Sequence, residues 1–418
     1  MEAFFEVKRP DEVFELIQGF QPVGEETIPM ESGLGRVLSR DLTALEDLPP
    51  FLRSTMDGYA VKAKATFGAT ESLPALFEII QEVKMGTASP GILSEGQAAK
   101  IPTGGMLPQG ADSVVMEEYC DLLDEHTLEV SRSVSPLENV IQPGDDLKKG
   151  NVFLNRGHRL RPQDLGAMAG LGILNVPVFQ RPRVALISTG DEIVPPEHPP
   201  GPGQVRDINR YTLAALCRRL GAVPVHMGIC ADRFQDLKDG VETALKEADT
   251  LWISGGSSVG TRDLTLKVFE TLPDFTLLVH GISISPGKPT IIGLAGSQPV
   301  IGLPGHVASA LVIAEVFMTR LISRLGGEEK RKSALGRTVE AQLSRNIESA
   351  SGREDYVRVR LTRERGKLIA DPIFGKSGLI STLVEADGLL RIHMNTEGCY
   401  QGEKVRVIPF DSCGGGLE

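Results

Sequence analysis

Between residues 181 and 328, short apolar runs alternate with capped helical patterns, and this alternation restricts the chain more than any other feature. Residues 184–187 form a continuous apolar run, as expected of a strand buried on both faces of a parallel sheet. Asp207 precedes INRYTLAALCRRL, a helix that Gly221 stops. VPVHMGI is the next strand, and Asp232 is placed to cap the helix RFQDLKDGVETALKEA. LWIS is the third, after which Asp263 opens LTLKVFETL. FTLLVH, TIIGLA and PVIGL follow, then a long helix from Gly305 to Gly326-Gly327. The pattern predicts an open, mostly parallel α/β sheet, whose ligands belong outside the carboxyl ends of its strands.

That edge gathers chemistry. The first strand runs into Ser188-Thr189-Gly190-Asp191-Glu192, the second into Cys230-Ala231-Asp232. LWIS leads into Gly255, Gly256, Ser257 and Ser258 and on to Asp263. FTLLVH leads into GISISPGKPT with its Lys288, and PVIGL into Pro304-Gly305-His306 at a helix start. Backbone N–H groups, hydroxyls and Lys288 suit phosphate or another oxyanion. Glu192, Asp232 and Asp263 suit Mg²⁺, which takes oxygen ligands and bridges to substrate phosphates. Each feature also has a plain reading: Asp232 and Asp263 as helix caps, the glycine pair as a turn, His306 as a packing residue. It is their recurrence along one edge that points to metal-assisted phosphoanhydride chemistry. GISISPGKP is not a phosphate-binding P-loop, because Pro289 stands where Ser or Thr is required. No G-x-G-x-x-G opens a helix after the first strand, and no His-rich metal motif occurs.

The flanking segments follow other periods. Residues 1 to about 46 read as helical, with Asp11 placed to cap a helix carrying Val13, Phe14 and Ile17 and a second short pattern at 34–38. Pro49-Pro50 breaks the pattern, and Asp57-Gly58 reads as a β-turn before an apolar run. From 62 to 140, short β segments and turns dominate, with Thr103 in the turn-rich PTGG. Residues 141–180 return to a turn-rich stretch and the helix QDLGAMAGLG, so two separated pieces frame the β-rich insert. Alternating segments after 328 predict a small β-barrel or sandwich. The division is therefore 1–46 with 141–180 as a split linker domain, 47–140 as an inserted β-rich domain, 181–328 as the α/β domain and 329–412 as a C-terminal β domain.

At 418 residues the chain exceeds what one core sustains. A net charge of −11 argues against nucleic acid or anionic membrane as a partner. Five scattered cysteines without a C-x-x-C pair predict neither a zinc site nor a disulfide framework, and suit a reduced, cytoplasmic protein. The N-terminus lacks the apolar core of a secretory signal, and no apolar run reaches the ~20 residues of a membrane span.

Several longer motifs carry a resemblance: PPFLRSTMDGYAV (49–61), IPTGGMLPQGADSVVMEE (101–118), PGDDLKKG (143–150), ISTGDEIV (187–194), WISGGSSVGTRD (252–263), SPGKP (285–289) and GLPGHVASA (302–310). In this order, over nearly the whole chain, they resemble the molybdopterin molybdenumtransferase family, MoeA of bacteria and archaea and the E domain of gephyrin. The resemblance implies a fold of split linker, inserted β domain, α/β pterin-binding domain and C-terminal β-barrel. It implies an elongated homodimer whose active sites lie between the α/β domain of one subunit and the inserted domain of the other. The implied reaction is Mg²⁺-dependent insertion of molybdate into adenylylated molybdopterin, with release of AMP. The family's active-site acids fall on Asp57, Asp146, Glu192, Asp232 and Asp263, its hydroxyl on Thr103 and its lysine on Lys288. Ser377 and Ser381 fall in the C-terminal glycine-serine stretch. Two departures stand out: Ser285 replaces a second lysine found in many relatives, and His306 stands where a small or amide residue is common. A tungstate-inserting paralogue, a non-catalytic scaffold and a nucleotide hydrolase sharing the pterin-binding fold are the alternatives.

Overall fold

A computed structural model describes residues 7–88, 91–255, 259–329 and 338–410, and of 259–263 the backbone alone. At its centre lies a six-stranded sheet in the order Val223–Cys230, Arg183–Thr189, Thr250–Gly255, Gln298–Pro304, Ile291–Ala295, Phe275–His280. The first four strands are parallel, and the last two complete an antiparallel edge. In Arg183–Thr189 the side chains alternate between two cores. Val184 and Leu186 pack with Trp252, Ile301 and the helices Asn209–Arg219 and Val307–Ile313. Ala185 and Ile187 pack with Leu237, Val241 and Phe269 of the helices on the other face. Burial on both faces is why this strand reads as one unbroken apolar run.

The helix after Gly305 runs as Val307–Ile313, a π-helical turn at Ala314–Met318, then Thr319–Leu325. The same core takes in Val13, Phe14 and Ile17 of the helix Pro10–Gln18, with the Phe14 and Phe317 rings 4.9 Å apart. Tyr356 and Leu389 join it from the C-terminal domain. That domain is a closed five-stranded barrel: Glu354–Glu364, Lys367–Pro372, Val339–Leu343, Lys404–Pro409 and Gly388–Ile392, the last pairing back to the first. The inserted domain is a second six-stranded sheet built from segments between Gly58–Val61 and Thr127–Val130.

Three local expectations are corrected. Residues 1–46 are not mainly helical: after Pro10–Gln18, the segment Glu25–Pro29 is a strand antiparallel to Asn175–Phe179. The 34–38 pattern is extended, Val37 bridging Arg159 and Leu38 bridging Val178. A pattern that short, preceded by Gly33 and interrupted by Gly35, cannot offset the cost of nucleating a helix, and long-range partners take its backbone groups. Asp11 does not cap the first helix; Arg9 is the cap residue, its N–H donating to Glu12 Oε2 at 2.7 Å. Nor do Asp232 and Asp263 cap: one helix is Phe234–Glu247 with Arg233 as cap residue, and the other begins at Val259.

The two pieces of the linker domain are tied together at Asp164, in the helix Pro162–Gly170. Its Oδ2 accepts from the Arg161 N–H at 2.8 Å and lies 2.6 Å from His158 Nε2. The His158 carbonyl accepts from the Leu38 N–H at 2.9 Å. Burial pushes this carboxyl up, but the Arg161 and His158 hydrogen bonds outweigh it and hold the group at about 2. A depressed carboxylate stabilises the fold above its unfolded value of 3.8, and that share is lost as pH falls towards 2. Asp164→Asn is expected to lower unfolding stability at neutral pH by about 2 kcal/mol, and to flatten the acid limb between those values, measured by urea titration across pH.

Candidate active site

The chain leaves the strand Arg183–Thr189 for Val223–Cys230 on one side and returns to Thr250–Gly255 on the other, which opens a crevice at the carboxyl edge. Gly255 pairs there with Thr189 on one side and with Pro304 on the other. A Cβ on Gly255 would stand 2.0 Å from Thr189 Cγ2 and 2.4 Å from its carbonyl oxygen, so only glycine permits the approach. A cavity of about 280 Å³ opens above, lined by Ser188, Thr189, Glu192, Asp207, Asn209, Gly255, Gly305 and His306. The Thr189 hydroxyl donates to Asp232 Oδ1 at 2.6 Å, and Asp191 Oδ1 accepts from the Asp232 N–H at 3.1 Å. Asp232 is thus turned towards the first strand's loop instead of the helix that follows it.

A larger cavity, about 790 Å³, lies between residues 283–289 and the barrel. Lys288, Ser285, Arg358, Asp355 and Ser377 line it. Arg358 is 8% exposed; its Nη1 donates to Thr382 Oγ1 and its Nη2 to the Gly375 carbonyl, both at 3.0 Å. Burial draws this guanidinium below the usual arginine range, leaving it a fixed cation at neutral pH. Asp355, on the same cavity wall, is bridged to Arg353 Nε at 3.0 Å. The two cavities meet where Ser377 Oγ lies 2.8 Å from His306 Nδ1 and the Ala308 N–H donates to the Ser377 carbonyl. His306 therefore joins the α/β domain to the barrel at the rim of both cavities.

Of the expected residues, Ser188, Thr189, Glu192, Gly255 and Gly305 share the smaller cavity, and Asp232 is attached through Thr189. Gly190 and Pro304 stand at the adjoining strand ends without lining it. Lys288 and Ser377 belong to the larger cavity. Ser381 begins the short helix Ser381–Val384 and lines neither. Gly256, Ser257 and Ser258 lie outside the described residues, as does the Asp263 side chain. Among the described residues no grouping of three His, Cys, Asp or Glu side chains stands at metal-binding spacing.

Asp57, Thr103 and Asp146 line neither cavity and are exposed on the other two domains. Asp57 and Thr103 nevertheless form a unit. The Thr103 N–H donates to Asp57 Oδ1 at 2.6 Å, and this bond, with the Thr103 hydroxyl, holds the Asp57 carboxyl below the usual carboxylate range. Gly58 fixes the turn: at φ +157° its α-carbon lies so close to Val115 that a Cβ would meet that carbonyl at 1.9 Å.

Arg358, Asp207 and Asn209 went unrecognised in the sequence. Arg358 had a signal, since it shares strand parity with the buried Tyr356 in DYVRVRL, an inward place for a charge. Asp207 and Asn209 had none, because only the return of 205–206 to pair in parallel with 193–194 brings them to the edge.

The chain matches the MoeA N-terminal region (domain I and II) over residues 9–172, the probable molybdopterin binding domain over 185–324 and the MoeA C-terminal region (domain IV) over 340–410. It is 31% identical over 403 residues to the molybdopterin molybdenumtransferase of Bacillus subtilis, covering 95% of this chain and 93% of that one. To the molybdopterin molybdenumtransferase of Haemophilus influenzae it is 30% identical over 400 residues, covering 93% and 95%. The crystal structure of the molybdopterin biosynthesis MoeA protein from Pyrococcus horikosii superposes with a TM-score of 0.83 at 36% identity, covering 97% of this chain and all of the other. Gly255→Ala is expected to cost about 3 kcal/mol or more, since the added methyl would meet the Thr189 carbonyl, which cannot swing aside, as well as its Cγ2. Thermal unfolding of the purified variant measures it.

Proposed function

The chain belongs to the MoeA family of molybdopterin molybdenumtransferases, enzymes of molybdenum cofactor biosynthesis, and on that premise we propose that it inserts molybdate into adenylylated molybdopterin with release of AMP. The observation that carries this reading is the pair of adjoining cavities of opposite character, joined at Ser377 and His306. One offers Glu192, Asp207 and hydroxyls at a strand edge; the other offers Lys288, Arg358 and serine hydroxyls, a setting for a dianionic oxyanion.

The oxygen donors beside the smaller cavity fit Mg²⁺, which binds through one or two carboxylates and keeps its remaining positions for water and substrate phosphates. Glu192 and Asp232 would hold it, with Asp263 as the third expected ligand. Bound there, the cation supplies Lewis-acid polarisation of the phosphoanhydride. The chain's own residues do the rest. Thr189 orients Asp232 through its hydroxyl, Gly255 and Gly305 let the substrate approach the backbone, and Lys288 with Arg358 neutralises the incoming oxyanion.

Asp57, Thr103 and Asp146 complete the site from the partner subunit of a homodimer, which accounts for three exposed polar residues at neither cavity of their own chain. Among the described residues no helix is long and apolar enough to cross a membrane. The reading places the enzyme in the cytoplasm.

Purified protein given adenylylated molybdopterin, Mg²⁺ and molybdate is expected to yield AMP and metal-loaded cofactor together; neither product would mean that the reading is wrong. Asp232→Ala and Lys288→Ala should each slow AMP release about a hundredfold or more. Asp57→Ala and Lys288→Ala, inactive apart, should regain about a quarter of wild-type turnover when subunits are mixed, because half the dimers are then mixed and each holds one intact site. No recovery after verified subunit exchange would exclude the shared site.

A further inference from the structure

The smaller cavity carries hydrogen-bond acceptors that the chain leaves unused. Ser188 Oγ, Asp207 Oδ2 and Asn209 Oδ1 have no hydrogen-bond partner, and all three side chains line it. Ser188 and Asp207 are 3% and 4% exposed, so bulk water does not stand in for the missing partner. Buried polar atoms are ordinarily paired, and three orphans around one cavity demand a physical reason.

Their placement is built. Asp207 follows the Val205–Arg206 strand, which pairs in parallel with Ile193–Val194, and its N–H donates to the Val194 carbonyl at 2.9 Å. Asp207 Oδ1 accepts from the Arg210 N–H at 3.1 Å at the start of the helix Asn209–Arg219. Its Oδ2 has Arg210 Nε at 3.6 Å, close enough for charge balance and too far for a hydrogen bond. Asn209 Nδ2 donates to the Gly305 carbonyl at 2.8 Å, which settles the amide's orientation and leaves Oδ1 as its unused end.

A carboxylate oxygen and an amide oxygen are acceptors only, and a hydroxyl serves either way. Such a set complements a flat ring edge that presents adjacent N–H donors. A pterin has that edge in its ring N3–H and exocyclic 2-amino group, and about 280 Å³ has room for a bicyclic ring. We propose that Asp207 and Asn209 form the recognition subsite for this donor edge of the pterin, so that the ring enters the smaller cavity. The phosphate and oxyanion end is directed to Lys288 and Arg358. The assignment rests on the substrate being a molybdopterin, and it makes Asp207 and Asn209 specificity-determining residues for the reaction.

The test compares pterin with 3-methylpterin, which lacks the ring N–H, by calorimetric titration of the purified full chain. Wild-type protein should bind pterin tenfold or more tightly, since a site built to accept a hydrogen bond rejects the analogue that cannot donate it, a loss of about tenfold at least. Asp207→Asn retains an oxygen for Arg210 and the helix start, as asparagine also caps, but sets an N–H₂ donor where the free oxygen stood. It should lose the discrimination and raise the KM for adenylylated molybdopterin by more than it lowers kcat. Equal wild-type affinity for the two pterins, or no pterin binding at all, overturns the subsite, and neither result depends on a variant that folds. Preference for pterin without AMP release would instead sink the enzymatic reading and leave the subsite standing.

Discussion

The molecule depends on the parallel pairing of Arg183–Thr189 with Thr250–Gly255, whose last residues lie so close that Gly255 has no room for a β-carbon beside Thr189. This pairing places two strand ends side by side at the point where the chain reverses its direction of travel across the sheet. It also sets the alternation that sends Val184 and Leu186 to one core and Ala185 and Ile187 to the other. The first of those cores extends beyond the α/β domain, through Phe14 to the N-terminal helix and through Tyr356 to the barrel. The barrel is therefore held against the sheet edge by the same burial that stabilises the sheet, and Arg358 and Ser377 come within reach of the 283–289 turn and His306.

Function follows from two unlike environments in contact. The chain as a whole is acidic, at −11, yet its larger cavity gathers Lys288 and a buried Arg358. Local placement overrides net charge because the guanidinium is fixed by Thr382 and Gly375 and is buried, where solvent screens a charge less. The smaller cavity has the opposite sense, with Glu192, Asp207 and free acceptor oxygens. A substrate with a donor-rich ring at one end and anionic groups at the other can lie across both in one direction only.

Much of this was legible residue by residue. The unbroken apolar run at 184–187, the glycine at 255 and the Gly305 turn at a helix start all have local causes, and each stands where strand–helix alternation put it. The misreadings share one physical source. Asp232, followed by a helix, reads as its cap, but the Thr189 hydroxyl, which belongs to a neighbouring strand, turns it elsewhere. Residues 34–38 carry a helical spacing, yet bridges to Arg159 and Val178, distant in sequence, make them extended. In each case a long-range partner outweighs a local preference of well under a few kcal/mol.

By itself, then, the sequence determined the α/β class, the order of the loops at the sheet edge and the chemical types they carry, because hydrophobic period and turn chemistry are local properties of the chain. Only the tertiary structure decided which of those groups meet. It separated Lys288 from the Glu192 cavity, attached Asp232 to Thr189 and brought in Arg358, Asp207 and Asn209. Those choices rest on strand register and on packing between segments distant in sequence, and of the residues concerned only Arg358 bears a mark of it, its strand parity with the buried Tyr356.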